Sequence, residues 1–309
     1  MRQLALRITA STYRGTLQGI PNLVEQLRRH NAGATFLFNL GPDHSGRAIK
    51  RVFRSGHLKQ ARRTRVLSHY GLATLLTGTL LPAPQIGRRA ASVLRGVRDS
   101  GFEVGLHGWD RYTWEENINT AEAQWTERQL YLATDRYADI FKTAPAAHGA
   151  ASWQMNAHAL RLTQRMGLRY ASDTRGTHPY MPVQNGEIVL CPQIPTTLPT
   201  TDELIGLNDV SESNLAETLL SHTAAESKHP HVFTLRAERE GMKLAPVFEK
   251  LLTGWREQGY SMVAMQDIAD RLDRDTLPHH QVTHGTVPGR LGTLMVQGAE
   301  FLANWKDAA

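Results

Sequence analysis

The chain has 309 residues, 41% of them hydrophobic, which is enough for one large α/β domain or two small ones. No apolar run approaches the ~18 residues of a membrane-spanning helix, and Met1 to Ala10 lacks the apolar stretch of a secretory signal. The lone Cys191 excludes an internal disulfide framework and fits a reducing compartment, while the formal charge of +6 points toward anionic partners.

Leu4 to Ile8 reads as a buried strand. Ile20 to His30 reads as a helix, with Pro21 in its first turn and Leu23, Val24 and Leu27 on one face. Thr35 to Phe38 is the next strand. Between Arg47 and Arg65 stand eight Lys/Arg and no acid, and Leu58, Leu67, Tyr70, Leu72, Leu75, Leu76, Leu80 and Leu81 interleave with or follow them. That stretch is either a solvated helix face or a patch for a lipid surface. Basic residues running into apolar ones suit a membrane better than a nucleic-acid groove. Gly87 to Asp99 is a helix, Val104 to His107 a strand, and Thr120 to Phe141 a long helix. Asn156 to Met166 and Ala245 to Gln258 are helices that stop before Gly167 and Gly259. Ile188 to Leu190, Val232 to Leu235 and Met262 to Ala264 complete the strands. This alternation predicts a mostly parallel sheet with helices outside it.

The pattern weakens from about Thr276, so residues 1–275 are expected to form the domain. Residues 276–309 are expected to form a tail lying on it or on a membrane. His280-x-x-x-His284, with His279 beside it, has metal-like spacing but reads as surface. In such sheets chemistry sits where strands end, here at Thr9 to Ser11, Asn39 to Asp43, His107 to Arg111 and Arg236 to Glu240.

Motifs at these ends and between them recur in one order. They are R-G-T at Arg14 to Thr16, G-P-D followed by Gly46-Arg47, and E-V-G-L-H at Glu103 to His107. Then come S-D-x-R-G-T-x-P at Ser172 to Pro179, Q-I-P-x-T-L-P-T-x-D-E at Gln193 to Glu203, and A-E-x-E-G at Ala237 to Gly241. In these the chain resembles the ArnD-type deformylases of the NodB, or polysaccharide-deacetylase, superfamily. The resemblance implies a distorted (β/α) barrel of about seven strands. It also implies a formamido sugar on undecaprenyl phosphate as substrate, a place at the cytoplasmic face of the inner membrane, and a role in lipid A modification. The implied chemistry is amide hydrolysis by a divalent cation, zinc or similar, held by one Asp and two His. A second Asp serves as base and a late-strand His as acid.

At the matching positions this chain departs from that pattern. Thr9 stands for the base and Ser11 for the ligand Asp of the first-strand D-x-D motif. His107 keeps the first position of H-x-x-x-H, a spacing that can place both residues on one helical face, but Arg111 replaces the second. Gln154 replaces an arginine, and Arg236 replaces the acid histidine of H-A-E. Five of six positions are changed. An arginine neither ligates a cation nor accepts a proton at ordinary pH.

The expectation is a pseudoenzyme with no cofactor, whose cleft binds an anionic glycolipid or an enzyme partner and no nucleic acid. Arg47 to Arg65 would touch the membrane. Arg14, Asp173, Arg175 and Glu238 are candidate ligand-binding residues, although Glu238 and Glu240 also read as ion pairs for Arg236 and Arg239. Two alternatives remain open. One is an active hydrolase rebuilt from His107, Asp110 and Asp173. The other is an interaction protein whose arginines are paired internally.

Overall fold

Strand β1 (Arg2–Ala10) is buried from Leu4 onward, because it has neighbours along both edges. In this computed structural model the description covers residues 2–53, 56–64 and 66–302, without the side chains at 52, 53, 66, 67, 72 and 73. Arg54, Arg65 and the side chains of Leu67 and Leu72, all in the basic and apolar stretch, lie outside it, as do residues 303–309 of the tail.

The strands that follow are β2 (Thr35–Asn39), β3 (Glu103–Gly108), β4 (Ala147–His148), β5 (Tyr170–Ala171), β6 (Met181–Gln184), β7 (Glu187–Ile188), β8 (His231–Arg236), β9 (Tyr260–Val263), β10 (His279–Gly285) and β11 (Leu294–Glu300). The larger sheet runs β5-β4-β3-β2-β1-β8 with every pair parallel, and β9 pairs with Arg2 to Ala5 of β1. An irregular segment bridges its two edges. Ile194 N donates to Ala171 O (2.8 Å) and Thr196 N to Thr174 O (3.0 Å), while Thr197 N donates to Val232 O (3.1 Å). The curled sheet with this bridge is the distorted barrel expected from the sequence.

Helices Ile20–Arg29, Ala91–Asp99, Ala123–Phe141 and Ala245–Glu257 cover the outside. Leu23, Leu27, Leu94, Val97, Phe141, Phe248 and Trp255 pack on Leu6, Phe36, Phe38 and Phe233 of the sheet. Burying side chains of this size contributes roughly 1.5–3 kcal/mol each.

Some elements depart from the sequence reading. The expected helix over 87–99 is broken at Ala90 into Ile86–Arg89 and Ala91–Asp99. The expected strand 188–190 is only the end of a short hairpin partner to β6, because Leu190 points outward at 62% exposure. Residues 279–300 supply β10 and β11 to a second sheet, ordered β11-β10-β6-β7. Val282 and Met295 of this hairpin are buried with Trp114 and Tyr180, so this part of the expected tail packs into the molecule.

Candidate ligand-binding cavity

The register of β1 on β8 sets Thr9 beside Arg236, so the first and last strand motifs end together. β3 ends beside β2, with Gly108 opposite Asn39. After β4 the chain turns through Ser152 (φ 53°) and Trp153 (φ 54°), left-handed conformations that are costly for residues with a Cβ. These five strand ends surround a cavity of about 1170 Å³ whose wall includes Ser11, Arg111, Gln154 and Arg236.

Thr9 and His107 are buried rather than part of that wall. Thr9 Oγ1 donates to Leu235 O (3.3 Å). His107 Nδ1 lies 2.5 Å from Gly149 O, which only accepts, so Nδ1 carries the proton. Burial, and the charges of Arg7 and Arg111, hold the His107 pKa well below the ordinary imidazole value, so the ring is neutral. His107 ends a strand, whereas Arg111 opens the helix Arg111–Asn117, with Gly108 (φ 146°) and the N-cap Asp110 between them. The spacing of four therefore does not place the two on one helical face here.

Each new arginine has a carboxylate, though not the ones nearest in sequence. Arg111 Nε donates to Glu115 Oε1 (2.7 Å), and Glu115 also binds Arg51 Nη1 (2.6 Å). Arg236 Nη2 lies 3.2 Å from Asp202. Burial alone would lower both arginine pKa values. Glu115 beside Arg111, and Asp202 beside Arg236, are the largest opposing influences, and with their neighbours they leave both raised. Burial likewise opposes charge on Glu115 and Asp202, yet their arginines hold both well below the usual carboxylate range. These two pairs therefore stay ionised in a wall that also includes Arg51, Arg62, Arg239 and Arg290 with Asp110 and Glu116.

Glu238 is not an ion-pair partner of Arg236. Its Oε1 accepts from Ser11 N (2.6 Å) and Thr12 N (2.7 Å), fixing the loop after β1. Glu240 accepts from Thr201 Oγ1 and from Arg236 N. Gln154 Nε2 donates to Thr293 O (2.5 Å). Arg14 lies at a separate depression and donates to Tyr70 O (2.9 Å). Asp173 binds His148 Nδ1 and Ala150 N, both at 2.7 Å. Arg175 is buried against Glu203 (2.6 Å). Asp110 caps its helix through Thr113 N and contacts His44 Nδ1 (2.6 Å). Asp110 and Asp173 thus have separate partners, and the rebuilt site with His107 does not assemble.

The comparisons with known proteins agree with this architecture. The chain is 34% identical over 301 residues to a "Probable 4-deoxy-4-formamido-L-arabinose-phosphoundecaprenol deformylase ArnD" of Shewanella sediminis (strain HAW-EB3), covering 96% of this chain and 95% of that protein. The chain belongs to the ArnD-type deformylase family. A protein of the same name from Wigglesworthia glossinidia brevipalpis is 29% identical, over 92% of this chain and 98% of that one. No protein-family model matches. Among solved structures, a candidate polysaccharide deacetylase from Mycobacterium smegmatis has a TM-score of 0.62 at 15% identity, covering 93% of this chain and 96% of that one. A CE4 family pseudoenzyme from Bacillus anthracis has a TM-score of 0.51 at 13% identity, covering 91% and 69%. These two likenesses show the fold alone.

Measured against the metal that the resemblance to the ArnD-type enzymes implies, the residues present do not fit. His107 is the one expected ligand kept, and it is buried outside the cavity wall. Arg111 brings a fixed cation where the second imidazole would stand. Among the described residues, no group of three or more His, Cys, Asp or Glu is placed to hold a metal ion. Sequence reasoning passed over Arg51, Glu115, Arg239 and Arg290 as wall residues. Arg51 was visible within the basic stretch, and Arg290 adjoins the Pro288-Gly289 turn. Glu115 had no signal before its partners were placed.

Proposed function

We propose that this chain has exchanged amide hydrolysis for recognition of an anionic glycolipid, a sugar carried on a polyprenyl phosphate. The observation that supports this reading is the position of Arg111 and Arg236 in one cavity wall with Ser11 and Gln154. Guanidinium groups recognise phosphate through paired donors, and Glu115 and Asp202 orient them without removing their charge. A pocket that needs a bound cation in an ArnD-type hydrolase here supplies cations of its own. The relatives' name, which specifies an arabinose on phosphoundecaprenol, favours that ligand class. The same cavity would serve a chain that hands such a lipid to an enzyme partner.

The reading places the protein at the cytoplasmic side of the inner membrane as a peripheral component. No helix among the described residues is long and apolar enough to cross a bilayer. Ile49, Leu58, Leu80 and Leu81 are exposed, with Lys50, Lys59 and Arg62 exposed near them in sequence. Arg51 and Arg63, by contrast, turn inward, Arg51 to Glu115 and Glu116, and Arg63 to the carbonyls of Asp202, Glu203, Ile205 and Gly289. Membrane contact would therefore rest on fewer charges than the sequence offers.

The test is co-sedimentation with neutral phospholipid vesicles, with and without undecaprenyl phosphate. The reading expects binding that depends on the phosphate lipid and weakens at least ~10-fold in Arg111→Gln and Arg236→Gln, the size of a lost charged hydrogen bond. Binding equal in the wild type and both variants would contradict it. Formate release dependent on an added divalent cation would return the chain to the active deformylases.

A further inference from the structure

We propose that His178 and His280 form a two-histidine site for a divalent cation of the zinc, cobalt or nickel class, apart from the arginine-lined cavity. His178 lies in the loop between β5 and β6, and His280 lies on β10. The parallel pairing of β10 with β6 brings these segments together, and the two Nε2 atoms stand 3.3 Å apart.

The other contacts fix which nitrogens carry protons. His280 Nδ1 is 2.9 Å from Gly298 O, a pure acceptor, so Nδ1 is the protonated nitrogen. Gln297 Oε1 accepts from Thr177 N (2.8 Å), which turns its amide nitrogen toward His178 Nε2 at 3.1 Å. His178 Nε2 is therefore an acceptor, and its Nδ1 faces Thr177 Oγ1 at 2.8 Å. Both Nε2 atoms are then unprotonated acceptors 3.3 Å apart, neither able to donate to the other, and that of His178 is taken by the Gln297 amide. A cation between them would bind both lone pairs, replacing Gln297 at His178.

The spacing suits such a cation. With metal–nitrogen bonds of about 2.0–2.1 Å, two ligands of a tetrahedral site stand about 3.3–3.4 Å apart. The Nδ1–H bond of His280 to a backbone carbonyl is the support that metal-bound imidazoles ordinarily have. Magnesium and calcium prefer oxygen donors and do not match. Burial, together with His280 and His229, lowers the His178 pKa, which favours the neutral, ligating ring. The remaining coordination positions fall to water. Loading would draw His178 away from Gln297 and tie the segment carrying Asp173 and Arg175 to β10.

The competing occupant of the gap is a proton shared by the two rings, and metal titration separates the two. Full-length protein treated with chelator and desalted is titrated with Zn²⁺ and Co²⁺ by calorimetry and absorption spectroscopy. The proposal expects one equivalent bound, a Co²⁺ ligand-field band, and a rise in Tm with Zn²⁺. His178→Gln and His280→Gln should each weaken binding at least ~10-fold. His284→Gln, on the same strand, should not. Circular dichroism verifies that each variant is folded. No saturable binding, or binding that follows His284 and ignores His178 and His280, would overturn the proposal.

Discussion

Arg111 and Arg236 differ from the groups they replace in more than charge. An imidazole can ligate, donate or accept, whereas a guanidinium only donates and stays protonated. Each therefore needs a carboxylate to be buried at a cavity wall, and Glu115 and Asp202 supply it. The expectation that the two arginines stand at catalytic positions came from the motifs on either side, and the structure brings both to one cavity wall. Their partners were not legible in the sequence, since Glu115 and Asp202 stand out only once the helix starting at Arg111 and the loop before Thr201 are placed. His107 yields a pH prediction at this scale. Its pKa is depressed in the folded protein, so the unfolded chain takes up the proton first, near pH 6.5. Its contribution to stability is complete above that pH and is lost as pH falls toward the folded value. Glu115 and Asp202 act in the same direction further down, with stability lost as pH falls below their ordinary values of about 4. Thermal unfolding between pH 7.5 and 5 should therefore decline more steeply for the wild type than for His107→Asn, by at most ~1.4 kcal/mol per pH unit. Identical slopes would show that His107 already titrates normally in the fold.

The loop after β1 shows how side chains from elsewhere in the chain hold a strand end. Ser11 N and Thr12 N both donate to Glu238, and Tyr13 N donates to Asp43 Oδ2 (2.8 Å). Three successive amides are fixed by side chains from distant motifs. Glu238 of A-E-x-E-G and Asp43 of G-P-D thus shape the loop. The sequence reading gave Glu238 a guanidinium partner, because strand alternation says nothing about a turn beyond the strand end. Gly15 packs on this carboxylate, and a Cβ there would lie 2.6 Å from Glu238 Cγ. Gly15→Ala should destabilise the protein by ~1–3 kcal/mol in denaturant unfolding, since it displaces the group that anchors Ser11 and Thr12. A change below ~0.5 kcal/mol would mean that Glu238 moves aside without cost.

At the scale of the molecule, the alternation of strands and helices was readable because β1, β2, β3 and β8 are buried on both faces and are written as apolar runs. The strands β4 and β5 escaped notice, being two residues each. The β10–β11 hairpin escaped because only Val282 of β10 and Leu294 and Met295 of β11 are buried, too few to write an apolar run. The whole arrangement is that of the ArnD-type family, and the proposal is that its proton-handling groups are replaced while the frame is kept. The most direct test of that account is formate release from 4-deoxy-4-formamido-L-arabinose-phosphoundecaprenol, measured with and without added Zn²⁺, Co²⁺ or Mn²⁺. The account predicts no release above that of the Arg111→Ala, Arg236→Ala double variant under any metal. Metal-dependent release by the wild type that is lost in Ser11→Ala and His107→Ala would contradict it.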